Sequence, residues 1–306
     1  MNTGTRLGLY SGGLALVFAA AFGAATLTVP DGAADEWSEQ TENEGHGGGE
    51  PVAVRGLSIE QDGYELGEVA APSAVGEAGT LAFQITGTGG GPLTEYTVSH
   101  EKDLHLIVVR ADGTHFRHVH PELAADGAWS LPWTWDAPGT YRVYADFVPA
   151  DDGEGPDVTL TRTIEVAGEY AAETPAGTVL TAEVDGLTVT LDGDLEAGST
   201  AELTTEVTQG GEPVTDIEPY LGAFGHLVAL REGDLAYLHV HPEEDEPAPG
   251  DLSGPQVTFA TDVPTEGRYF LYFDFQVDGQ VHTAAFVVEA AAGEPGDEHR
   301  TESDGH

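Results

Sequence analysis

The chain has no cysteine, one methionine (Met1) and one lysine (Lys102) among 306 residues. Without cysteine there is no disulfide, Fe–S cluster, thiolate zinc site, Cys nucleophile or blue-copper centre. Any bound metal has to be held by imidazole, carboxylate or backbone oxygen. Positive charge is scarce too: 10 Lys and Arg stand against 54 Asp and Glu, for a formal net charge of −44. Such a surface repels phosphates and anionic headgroups, which argues against a nucleic acid partner. The acids are dispersed and no D-x-[DN]-x-[DN]-G loop occurs, so they read as adaptation to high salt and not as calcium binding. P-loop, Rossmann glycine signature, nucleophile elbow and H-E-x-x-H helix are also missing, and no enzyme is expected.

What is present begins with an uncharged stretch from Leu7 to Pro30, "LGLYSGGLALVFAAAFGAATLTVP". At 1.5 Å per residue it is long enough to cross a bilayer core of about 30 Å. Arg6 precedes it and Asp31, Asp35 and Glu36 follow, which places the bulk of the chain outside the cytoplasm. The expectation is a single-pass anchor in the cell membrane; cleavage within "AFGAA" would instead release a secreted protein. Residues 31–52 read as an acidic, Gly-rich linker and 291–306 as a disordered acidic tail.

Between these ends the chain is duplicated. At a constant offset, His105 matches His226, Arg110 Arg231, Phe116 Tyr237, His118 His239 and His120 His241. After an insertion in the second copy, Tyr141, Tyr144, Asp146 and Phe147 match Tyr269, Tyr272, Asp274 and Phe275. So many matches in one frame make an internal repeat. The domains are read as 53–168 and 178–290, joined by the linker 169–177. Within each copy, short Val/Ile/Leu/Phe/Tyr runs alternate with turn signals such as Asp112-Gly113 and Asp278-Gly279. The fold class is all-β: two tandem immunoglobulin-like or cupredoxin-like β-sandwiches after an N-terminal transmembrane helix. The paired aromatics Tyr141, Tyr144 and Phe147, with their counterparts in the second copy, are read as packing residues.

The histidines carry the functional signal. If Asp112-Gly113 makes a two-residue turn, Ala111 faces Thr114, His105 faces His120 and His118 faces Ile107. With side chains alternating at period two, His105, His118 and His120 then share one face. A four-residue loop keeps this register and a three-residue loop breaks it. The second copy repeats the set as His226, His239 and His241, giving one three-histidine metal site per sandwich. Imidazole with neither Cys nor Met suits Cu(II) or Zn(II). Further candidates are His100, which alternation sends to the opposite face, His282 on the last strand, and Asp146 and Asp274 as ligands or as partners that orient an imidazole. The competing interpretation is structural: histidines that bond backbone carbonyls, copied by the duplication.

The segments "SHEKDLHLIVVRADGTHFRHVHPELAADGAWS" and "EPYLGAFGHLVALREGDLAYLHVHPE" resemble those of a family of membrane-anchored, exported actinobacterial proteins often labelled heavy-metal-associated. That resemblance implies tandem β-sandwiches and contact with metal, copper above all. The "HVH" strand is also similar to the copper-binding strand of copper/zinc superoxide dismutase, but that family's disulfide cysteines and zinc loop are absent here. The expected function is metal capture, buffering or delivery outside the membrane, which implies a metal transporter or cuproenzyme as partner. The alternatives are a structural or adhesive tandem sandwich without metal, and a mononuclear metal enzyme.

Overall fold

The computed structural model describes residues 54–150 and 155–293, apart from His239, Asp245 and Pro249. The expected anchor at 1–30, the acidic linker up to 53 and the tail from 294 lie outside the described residues. Among the described residues no helix is long and apolar enough to cross a membrane.

Among the described residues every element is a strand. The first copy contains β1 (Glu60–Gln61), β2 (Tyr64–Leu66), β3 (Gly79–Thr86), β4 (Tyr96–Thr97) and β5 (His105–Arg110). It continues with β6 (Arg117–Val119), β7 (Glu122–Leu123), β8 (Ala128–Trp133), β9 (Gly139–Pro149) and β10 (Val158–Val166). The second copy holds β11 (Thr181–Val184), β12 (Leu187–Asp192), β13 (Leu195–Glu196), β14 (Ser199–Gln209) and β15 (Glu212–Pro213). Then come β16 (His226–Arg231), β17 (Tyr237–Leu238), β18 (Val240–Pro242), β19 (Gln256–Val263), β20 (Gly267–Val277) and β21 (Gln280–Ala291).

Each copy packs two sheets face to face. In the first, β1-β2-β3-β8-β7 covers β10-β9-β5-β6, with β4 on the end of β9; in the second, β11-β12-β14-β19-β18 covers β13-β21-β20-β16-β17. The first sheet of each pair alternates as a half-exposed sheet should: Leu81, Phe83 and Ile85 of β3 point inward, as do Leu187, Val189 and Leu191 of β12. Trp129, Trp133 and Trp135 fill the first core, and Phe259, Phe273 and Phe275 the second. Tyr141 and Tyr269 each donate a hydroxyl hydrogen bond to the carbonyl four residues upstream, Ala137 and Thr265.

The second sheets do not alternate. All six residues of β5, "HLIVVR", are buried, and β20 is buried without a break from Tyr269 to Phe275. The reason is a third apolar cluster between the sandwiches, formed by Ile107, Val109 and Tyr144 from the first copy and Val228, Leu230, Phe270 and Tyr272 from the second. Leu106 and Val108 face the first core; their neighbours on the strand face this seam.

The seam is built by equivalent residues from both sides, as in a two-fold dimer contact. Tyr272 donates its hydroxyl to the Gly113 carbonyl at 2.6 Å, and Tyr144 donates to the Leu235 carbonyl, so each copy hooks the hairpin loop of the other. Phe116 stacks on Tyr272 at 3.9 Å, and its counterpart Tyr237 lies 5.8 Å from Tyr144. Gly113 is required there: a Cβ would come within 2.6 Å of the Phe270 ring, and the residue sits at φ +77°. Tyr144 and Tyr272 therefore hold the seam and not the sandwich cores.

The inter-copy linker is pinned as well. The buried Arg110–Asp112 pair, bonded at 2.9 and 2.8 Å, receives the Glu173 amide on Asp112, and Thr174 donates to the Asp112 carbonyl. Burial alone would raise the Asp112 carboxyl; the hydrogen bonds from Arg110, the Glu173 amide and Thr114 together outweigh it and hold the group at about 2.

Candidate functional site

The site starts with how the first hairpin turns. The Arg110 amide donates to Thr114 and the Gly113 amide to Arg110, closing a three-residue loop in place of the expected two-residue turn with Ala111 opposite Thr114. Such a loop alone would slip the register by one residue. His115, at φ +53°, supplies a compensating extra residue. From there the pairs are Val108 with Arg117, Ile107 with His118 and Leu106 with Val119. His118 thus faces Ile107, on the seam side of the sheet with His105.

His105, His118 and His120 converge, each offering one ring nitrogen within 4.8 Å of the other two. His105 Nδ1 lies 2.9 Å from His118 Nε2 and 3.2 Å from His120 Nε2. A tetrahedral ion with bonds of 2.0–2.1 Å would space its nitrogens by about 3.3 Å, close to this arrangement. The three histidines form a group that can hold a metal ion.

The outward nitrogens set the tautomers. His105 Nε2 lies 3.1 Å from the Ser99 carbonyl, which only accepts, so Nε2 carries the hydrogen and Nδ1 the lone pair. His118 Nδ1 lies 2.9 Å from Asp274 Oδ2, so that nitrogen carries its hydrogen and Nε2 has the lone pair. In the neutral rings two acceptors therefore face each other at 2.9 Å. Either a proton or a cation has to lie between them. Burial, then the charge of His118, pushes His105 down to about 2; burial, then His118 and Lys102, pushes His120 down to about 3. A proton on His105 or His120 themselves is thus disfavoured at neutral pH.

Asp274 belongs to the second sandwich. It pairs with His226 across β16 and β20 and is fixed by a hydrogen bond from Thr283. The side chains of His118 and Asp274 are 5% and 4% exposed. His226 repeats the geometry of His105: its Nε2 meets the Tyr220 carbonyl at 2.9 Å, where Tyr220 is the counterpart of Ser99. Its ring centre lies 6.5 Å from that of His105 and 6.3 Å from that of His118, and burial pushes it down to about 4.

The second hairpin has the four-residue loop, closed by Arg231 and Ala236, and keeps the expected register of Ala229 with Leu238. Beyond it the chain leaves for the other sheet: Val240, His241 and Pro242 pair with β19, and His241 is exposed. His239 lies outside the described residues. The expected second three-histidine face turns on His239; of its other two members, His226 stands beside the triad of the first copy, and His241 lies on the other sheet, near enough to His100 for its charge to act there.

His100, expected on the opposite face, reaches the cluster because residues 99–102 form a tight turn and not a strand, with His100 and Glu101 at φ +47° and +62°. Its ring lies 5.1 Å from His226, and burial, then the charges of His241 and His118, lowers its pKa. His282 is buried against Phe275 and bonded to Asp185 at 2.9 Å, away from the cluster. Asp146, opposite His105 and bonded by Thr159 at 2.7 Å, is raised to about 6 by burial against the pull of that bond. A cavity of about 80 Å³ lies between the sandwiches, lined by His100, His105, His118, His226, Asp146 and Asp157 among others.

What sequence reasoning missed is that the two copies face each other. The signal was present in the unbroken apolar runs of β5 and β20, which belong to strands buried on both faces.

No curated protein matches the chain. Among solved structures, the Yersinia pseudotuberculosis adhesin InvE is 13% identical, with a TM-score of 0.22, covering 76% of this chain; the chain spans 60% of that structure's length. A putative membrane anchored protein from Corynebacterium diphtheriae is 10% identical, at TM-score 0.24, over 77% of this chain and 60% of that one. Fibronectin(III)-like modules of Clostridium thermocellum CbhA are 12% identical, at TM-score 0.18, over 79% and 98%. One family model matches twice, over residues 59–166 and 182–292, and the chain therefore belongs to the family described as a domain of unknown function, DUF8832.

Proposed function

We propose that the protein binds one Cu(II) or Zn(II) ion through His105 Nδ1, His118 Nε2 and His120 Nε2, as a capture or delivery module held outside the cytoplasm. The observation that carries this reading is the pair of lone pairs meeting at 2.9 Å between His105 and His118, their tautomers set by Ser99 and Asp274. Three neutral imidazoles fit both ions. The uncharged stretch from Leu7 to Pro30 supports a membrane anchor, with a metal transporter or cuproenzyme as partner.

The seam favours a second reading of equal standing. Its tyrosine hooks, apolar cluster and pinned linker hold two sandwiches together with no ion, as suits a structural or adhesive rod on an acidic stalk. The immunoglobulin-like architecture fits that role equally well. In this reading the histidines are satisfied by hydrogen bonds alone.

Titration of the full chain decides between them. With chelator competition to suppress loose carboxylate binding, the wild type should take up one tight equivalent of Zn(II) or Cu(II). A variant with His105, His118 and His120 all changed to Ala should take up none tightly. Equal uptake by both proteins would rule out the site and leave the structural reading.

A further inference from the structure

We propose that the cation of the His105–His118–His120 triad is a latch between the two sandwiches, so that filling the triad and closing the seam are one equilibrium; this rests on the metal reading above. All three ligands belong to the first sandwich, but the group that aims His118 belongs to the second. Asp274 accepts the His118 Nδ1 hydrogen at 2.9 Å and is itself held by Thr283 of β21. The contact exists only when the seam is closed.

His226 adds to this from the same side. Its Nε2 is engaged by the Tyr220 carbonyl, so its Nδ1 carries a lone pair, and its ring lies within 6.5 Å of those of His105 and His118. The second sandwich therefore lays both a carboxylate and a neutral nitrogen base beside the cation position. Parting the sandwiches would remove both and expose the buried His118 to water.

The rest of the seam lies on the same strands. Ile107 and Val109 follow His105 along β5, and Val228 and Leu230 follow His226 along β16. A cation drawing the triad nitrogens together acts on β5 and β6 and, through Asp274, on β20. Any ligand that prefers the closed arrangement stabilises it by the same factor by which closure tightens the ligand. Weakening the seam far from the triad must therefore weaken metal binding.

The test measures Zn(II) affinity of the full chain by competition with a chromophoric chelator. Leu230→Asp places a charge in the seam four residues along β16 from His226, and Tyr272→Phe removes one hydroxyl hook while keeping the ring. The expected result is at least a tenfold loss of affinity for Leu230→Asp and a two- to fivefold loss for Tyr272→Phe. Emission of Trp129, Trp133 and Trp135 should stay unchanged, since they report the first core. If Leu230→Asp does not fold, Tyr272→Phe alone decides. Wild-type affinity in the folded seam variants, with binding still abolished in the triad variant, overturns the latch and leaves the site. No binding by the wild type overturns the metal reading itself.

Discussion

The hairpins β5–β6 and β16–β17 come from one duplicated motif, yet they take different routes. In the first, the chain stays on the sheet of β5 through Val119, which keeps His118 on the seam side. In the second, the chain has already crossed by Val240, the counterpart of Val119, and pairs with β19. The loops differ as well: three residues plus a bulge at His115 in the first, four residues in the second. Both routes reach the same register. What distinguishes the copies is how far the strand runs before it changes sheets.

The difference extends to the arginines behind the loops. Arg110 and Asp112 are each 2% exposed at the side chain, and the linker rests on them; Arg231 and Asp234 are 19% and 41% exposed. Removing one partner of a buried pair strands a charge, whereas an exposed pair contributes little. Asp112→Ala should cost about 3–5 kcal/mol of unfolding free energy in urea. The matching Asp234→Ala should cost about 1 kcal/mol or less. Similar losses in both would mean that the copies are equally tied to the linker.

The histidines provide the next contrast. His118→Ala should lower Zn(II) affinity by at least about 100-fold, more than loss of an outer partner such as Asp274 usually does. His241→Ala, changing an exposed residue on the other sheet, should alter affinity less than about threefold. Reversed effects in the same chelator assay would move the site to the second copy.

Acid should act on the metal-free protein through the buried rings. The unfolded chain protonates its histidines near 6.5, whereas folding holds His105 and His226 neutral down to about 2 and 4. Below about 6.5 the unfolded state binds protons that the folded state refuses, so stability falls as pH drops. Unfolding free energies from urea titrations between pH 7 and 5 should decline with a slope of up to about 1.4 kcal/mol per unit for each of these histidines. Above 7 the curve should be flat. The double variant His105→Gln and His226→Gln should lose part of the acid slope, the remainder coming from His120 and His100, which burial also lowers.

The smallest expected effect concerns the bulge. His115→Gly relieves a left-handed side chain and should change stability by about 1 kcal/mol or less in either direction. Zn(II) affinity should stay at the wild-type value, because Gly also permits the φ of +53° that restores the register. A large loss of affinity would show that the His115 ring itself, and not its backbone, positions His118.

Much of this was readable from residues alone. The duplication, the all-β class and the shared face of His105 and His118 follow from the 121-residue frame and from period-two alternation. The short strands β1, β2, β11 and β12 went unread because their apolar runs are brief. The turn at residues 99–102 was hidden for a different reason: strict alternation assumes continuous strand, and two consecutive left-handed residues redirect His100. The separate fates of His120 and His241 were not legible, since identical H-x-H segments can continue on either sheet.

By itself the sequence determined the chemistry on offer: imidazole and carboxylate without thiol, twice over, on strands whose register local turn geometry sets. Tertiary structure alone decided that the two copies meet face to face. That contact arises because β5 and β20 are apolar on both faces, and burying the second face requires another sheet. Only there do Asp274 and His226 reach the triad of the other copy, a relation between residues more than a hundred positions apart that no local pattern encodes.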